Sequence, residues 1–242
     1  MARLPRLVLP GRAHYIIQRG HSGGPVFADD VDRRAFLDAL REASAAQRVA
    51  VHAYALPAGE VQLLATPPSA AALSATMQAL GRRYVGAYNR RHGHSGTLWD
   101  GRFRCAVVES GAPVLGVLRL IDGLADLEAP GDGHGAQMAK PMAEPRPAWS
   151  SAGHRLGAGR LPWLLDPPEL WRLGNTPFER EAAWRALLLQ GLPAAQAATC
   201  RGAALGGWAI GSPAFLQTLA ADTARPLQPR PRGRPKSKAA VA

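Results

Sequence analysis

The sequence predicts an α+β domain, an antiparallel sheet with helices packed on one side of it. Apolar residues recur at short, strand-like spacing in four segments and at helical spacing in three longer ones, and these run in the order strand, helix, hairpin, helix, strand, helix. Size agrees: a chain of 242 residues that is 47% hydrophobic has enough apolar side chains for a buried core.

Residues 14–19 read as a strand, with Gly20, Gly23 and Gly24 forming a turn after it. Asp29 and Asp30 stand where a helix N-cap belongs. From 31 to 47, Ala35, Phe36, Ala39, Leu40 and Ala43 line one face of a helix whose other face carries Arg and Asp. Residues 49–56 and 61–66 are two strands parted by Pro57, Ala58 and Gly59, which predicts an antiparallel hairpin. A second helix is expected over 69–92, a loop over 93–104, a short strand over 105–109 and a helix over 114–127. This core domain is expected to span residues 1–130. A Pro- and Gly-rich stretch then predicts a flexible linker over 131–147, a small helical appendage over 148–221 and a basic tail over 222–242.

Charge points to the partner. Lys and Arg number 29 against 18 Asp and Glu, a formal net charge of +11, and a polyanion is the natural complement of such a surface. An arginine-rich composition also arises in GC-rich genomes, so clustering has to decide. Arg82, Arg83, Arg90, Arg91, Arg102 and Arg104 fall in one stretch, interleaved with Tyr84, Tyr88, Trp99 and Phe103. Single-stranded nucleic acid needs that combination, guanidinium for phosphate and rings for splayed bases. Trp99 and Phe103 serve equally well as core residues. A second basic cluster lies in the tail, where Arg232-Gly-Arg234-Pro resembles an AT-hook whose arginines enter a narrow minor groove.

Other chemistry is less well supported. Cys105 and Cys200 are too few for a disulfide framework and lack the spacing of a zinc site, which fits a reducing cytosol. No stretch reaches the roughly 20 apolar residues that span a bilayer, so a cytoplasmic, nucleoid-associated protein without membrane contact is expected. His92 and His94 flank a glycine and read as loop or phosphate contacts rather than as a metal pair.

Several segments, in order, resemble the REP-associated tyrosine transposases, a single-strand transposase family of the HUH type. They are residues 1–11 (MARLPRLVLPG), 14–20 (HYIIQRG), 26–40 (VFADDVDRRAFLDAL), 52–56 (HAYAL), 88–103 (YNRRHGHSGTLWDGRF), Trp149-Ser-Ser, 207–219 (GWAIGSPAFLQTL) and 230–238 (RPRGRPKSK). The resemblance implies a ferredoxin-like antiparallel sheet, a homodimer, and recognition of hairpins formed by single-stranded DNA. It also implies a chemistry: two histidines on a central strand hold Mg²⁺ or Mn²⁺ against the scissile phosphate, and a tyrosine on a later helix attacks the phosphorus.

This sequence departs from that pattern at each catalytic position. The two histidines correspond to Glu60 and Gln62, which alternation keeps on one face; one carboxylate beside an amide makes a weak cage for Mg²⁺. The nucleophile corresponds to Leu120 in the run Arg119-Leu-Ile-Asp-Gly-Leu124, and the polar residue one turn onward to Leu124. No catalytic residue of the family is intact, no metal or other cofactor is expected, and the predicted activity is DNA binding without strand cleavage. The alternative is an active transposase with a metal site at Glu60 and Gln62 and with Tyr84 or Tyr88 as the nucleophile.

Overall fold

The computed structural model describes residues 6–124, 149–223 and 225–229; the linker over 131–147 and the AT-hook-like Arg232 and Arg234 lie outside the described residues. The strands are β1 (Ala13–Arg19), β2 (Ala50–Ala55), β3 (Glu60–Thr66) and β4 (Arg104–Val108). Between and after them run α1 (Asp30–Ala46), α2 (Ala70–His92) and α3 (Ala112–Gly123). Every neighbouring pair is antiparallel and the strand order is β2-β3-β1-β4. With this βαββαβ connectivity, the order is the ferredoxin-like arrangement.

Local chemistry explains the boundaries. The Asp29 carboxylate accepts hydrogen bonds from the Val31 and Asp32 amides, satisfying donors that the first turn of α1 leaves open. Ser69 caps α2 in the same way, and α2 stops at Gly93, whose left-handed φ of 59° a side chain would disfavour. Phe36 and Leu40 of α1 and Leu73, Leu80 and Tyr84 of α2 close over Ile16, Val61 and Leu63 on one face of the sheet.

Helices cover both faces, contrary to the one-sided packing expected from the element order. Tyr15, Ile17, Leu64 and Ala106 point the other way, into a second core completed by Val117, Leu118 and Ile121 of α3. The segment read as an appendage supplies the rest of that layer. It forms α4 (Ala152–Arg155), α5 (Pro168–Trp171), α6 (Pro177–Gln190), α7 (Ala194–Gly206) and α8 (Pro213–Asp222). Trp184 of α6 and Cys200 and Ala204 of α7 are buried against the sheet's second face.

The same segment protects both sheet edges. Trp149 O accepts from Leu56 N at 2.8 Å and Ser151 N donates to Tyr54 O at 2.9 Å along the outer side of β2. At the opposite edge, Ile210 N donates to Val107 O and Ile210 O accepts from Glu109 N, both at 2.8 Å. Unpaired edges and uncovered apolar faces are aggregation sites. A chain ended at residue 130 is therefore expected to elute as aggregate in size-exclusion chromatography, whereas a monodisperse, cooperatively melting fragment would show that α3 alone is cover enough.

Candidate functional site

Glu60 and Gln62 share a face of β3, as alternation requires, and the site around them is filled from within the chain. Gln62 Nε2 donates to Glu60 Oε1 at 2.5 Å, and the Tyr15 hydroxyl of neighbouring β1 donates to Gln62 Oε1. From above, Arg201 of α7 grips both carboxylate oxygens of Glu60, each Nη-to-Oε distance being 2.6 Å. Its hydrogen bonds to Glu60 hold the Arg201 guanidinium above its ordinary pKa, and burial pushes the fully enclosed Tyr15 phenol up.

This donor set does not fit the divalent cation that the resemblance implies. Mg²⁺ is held by near-octahedral oxygen ligands; here the one carboxylate is committed to a guanidinium and the amide oxygen to a phenol. A cation entering between Glu60 and Gln62 would have to displace the Arg201 charge. Among the described residues no group of three or more His, Cys, Asp and Glu is placed to hold a metal. Neither Tyr15 nor Arg201 was singled out in the sequence as part of this site; Arg201 lies 141 residues from Glu60.

Leu120 of α3 and Leu124, just past its end, are partly buried and pack against the second apolar core. The polar residue between them, Asp122, turns away into a buried knot. Its carboxylate accepts from Arg155 Nε and Nη2 and from Ser151 Oγ, all at 2.8 Å, and from Trp184 Nε1 at 3.1 Å.

The arginines of α2 and of the loop after it divide into two sets. Arg83 pairs with Glu42 of α1. Arg91 donates to Asp29 and Asp32 at the start of α1, at 2.5 and 2.6 Å, and so draws the Asp29 carboxyl well below its usual range. His92 Nε2 lies 3.0 Å from both oxygens of Asp32, so one carboxylate stands beside the two-histidine turn; His94 bonds Asn89. Burial tends to raise the Asp32 pKa, but His92, the Ala28 amide and Arg91 outweigh it and hold the group low. By contrast Arg82, Arg90, Arg102 and Arg104 are exposed and form no ion pair with any described residue.

The aromatic residues divide as well. Tyr84 is buried among Phe27, Phe36 and Trp99, and its hydroxyl donates to Val26 O at 2.5 Å. It stands on the α1–α2 face, on the opposite side of the sheet from Glu60 and Gln62. Tyr88 is half-buried against Tyr84 and His92, with ring centroids 6.0 and 4.4 Å away. Trp99 and Phe103 pack on the first core, and Arg6 lies 3.7 Å above the Phe103 ring.

No protein-family model matches the chain, and no curated protein matches it. Among solved structures it is similar to a REP-associated tyrosine transposase bound to a REP hairpin, at 10% identity and a TM-score of 0.43, over 50% of this chain and 71% of that one. A protein of Deinococcus radiodurans R1 assigned as a transposase aligns at 21% identity and a TM-score of 0.35, over 45% of this chain and 88% of that one. No helix among the described residues is long and apolar enough to cross a membrane.

Proposed function

We propose that this protein binds single-stranded or hairpin DNA on a transposase-type scaffold and does not cut it. The ordered sequence segments and the ferredoxin-like sheet support the scaffold, and the unpaired arginines of α2 and the 102–104 segment support the polyanionic partner. One observation carries the loss of cleavage: the Arg201 guanidinium is bound bidentately to Glu60, on the strand face that the resemblance assigns to a metal ion. A fixed cation there satisfies the carboxylate, but it offers no open coordination position to polarise a phosphate. The position of the attacking tyrosine holds Leu120, which has no nucleophile.

The test is incubation of the purified protein with labelled hairpin DNA carrying single-stranded flanks, in Mg²⁺ or Mn²⁺. Retention of uncut DNA without a covalent adduct is the expected outcome. A metal-dependent protein–DNA adduct would overturn the proposed loss of cleavage, and absence of any retention at low salt would overturn the DNA partner.

A further inference from the structure

Between α2 and the loop over residues 98–103 the surface opens into a cavity of about 520 Å³, well inside the range of small-molecule sites. Its walls are apolar, with Met77 and Leu80 of α2 on one side and Trp99 and Phe103 on the other. Among the described residues no acid lines it, while Arg6 and Arg102 do.

The cations here are gathered without an internal counter-charge. Arg6 Nε donates to Phe103 O at 3.1 Å, and its terminal nitrogens meet no acid among the described residues. Burial is the main influence lowering its pKa; Cys105 opposes it, and Arg102 and Arg104 each add a smaller lowering effect. Like charges brought together beside a low-dielectric wall are costly unless an anion joins them. Gln18 adds a directed polar group: it is 8% exposed, its Nε2 donates to Gly101 O at 3.1 Å, and its Oε1 accepts no hydrogen bond from a described residue.

We propose that this cavity takes one unstacked nucleotide of the bound DNA, its base against the partly exposed Trp99 ring, its phosphate on Arg6 and Arg102, and an exocyclic amine on Gln18 Oε1. The inference rests on the DNA-binding reading above and deepens it. An apolar slot with a ring-lined wall binds a base of any sequence through its π-face. A nucleotide in a single-stranded flank or loop enters at the smallest unstacking cost. The single acceptor at Gln18 favours adenine, cytosine or guanine, each of which carries an exocyclic amine, over thymine.

The experiment uses the full-length protein. Deoxyadenosine 5′-monophosphate is titrated while the Trp99 indole N–H and the Gly81 amide are followed by NMR, with deoxyribose 5-phosphate as the base-free control. In parallel, hairpin DNA is scanned with abasic sites along its single-stranded flanks and loop. Gly81 lines the cavity and a Cβ added there meets no atom within 4 Å, so Gly81→Phe is expected to fill the slot without disturbing α2. The nucleotide should shift both signals where the sugar phosphate does not, and one abasic position should weaken binding about tenfold. That penalty should vanish in Gly81→Phe. Equal affinity for every abasic strand, together with no response to the nucleotide, would overturn the pocket while leaving DNA binding intact. Failure of the wild-type protein to retain any hairpin overturns both. The wild-type titration and abasic scan decide the matter even if Gly81→Phe proves unstable.

Discussion

Asp122→Ala is expected to cost about 3–5 kcal/mol of stability, the usual penalty for leaving a buried charge without its partner. The side chains of Asp122 and Arg155 are 0% and 3% exposed. Once the carboxylate is gone, Arg155 keeps its bond to His52 O at 2.8 Å and faces Asp166 at 3.7 Å, while Ser151 Oγ and Trp184 Nε1 lose an acceptor inside the core. The knot joins α3 to α4 and α6, so its loss loosens the layer that covers the second face of the sheet. A domain is stable by about 5–15 kcal/mol in all, so the variant should unfold at a much lower urea concentration or fail to accumulate. Replacing both partners, as in Asp122→Leu with Arg155→Met, should recover most of the loss, since apolar pairs of similar volume substitute well for buried ions. A midpoint shift equivalent to less than about 1 kcal/mol for Asp122→Ala would show the knot to be dispensable.

That knot was not legible in the sequence, and the reason is physical. Asp122 was read only as part of a helix that lacks a tyrosine, because its partners Ser151 and Arg155 lie 29 and 33 residues away and no local period links them. The elements themselves were legible: β1, α1, β3 and α2 fall within a residue or two of where hydrophobic spacing and the N-cap candidates Asp29 and Asp30 place them. The second covered face had a local signal that the element order obscured. Tyr15, Ile16 and Ile17 in β1 and Leu63, Leu64 and Ala65 in β3 are consecutive apolar residues, and the structure buries five consecutive residues of each strand. Runs without strict polar alternation mark strands enclosed on both sides. Arg201 and Arg91 show the opposite limit, since only the fold brings Glu60 to one and Asp29 to the other.

The arginines separate by their partners into those open to phosphate and those already neutralised, and this division predicts a large change in salt dependence. Each phosphate neutralised on a single strand contributes about 0.7 to the slope of log affinity against log salt. Replacing Arg82, Arg90, Arg102 and Arg104 together with Ala should flatten that slope by about 3 and lower affinity by about 10- to 100-fold at low salt. Arg83→Ala and Arg91→Ala should leave the slope nearly unchanged, because Glu42, Asp29 and Asp32 already take up those charges. Arg91→Ala should instead lower the thermal midpoint, by freeing two acids at the start of α1. Ending the chain at residue 229 removes Arg232 and Arg234 with the rest of the basic tail; a further flattening would assign phosphate contacts to it. Fluorescence anisotropy on one labelled hairpin between 50 and 200 mM salt measures all of these. If Arg91→Ala flattened the slope as much as the four-fold variant, the contact with Asp29 would have to open on binding, and the division into free and committed arginines would fail.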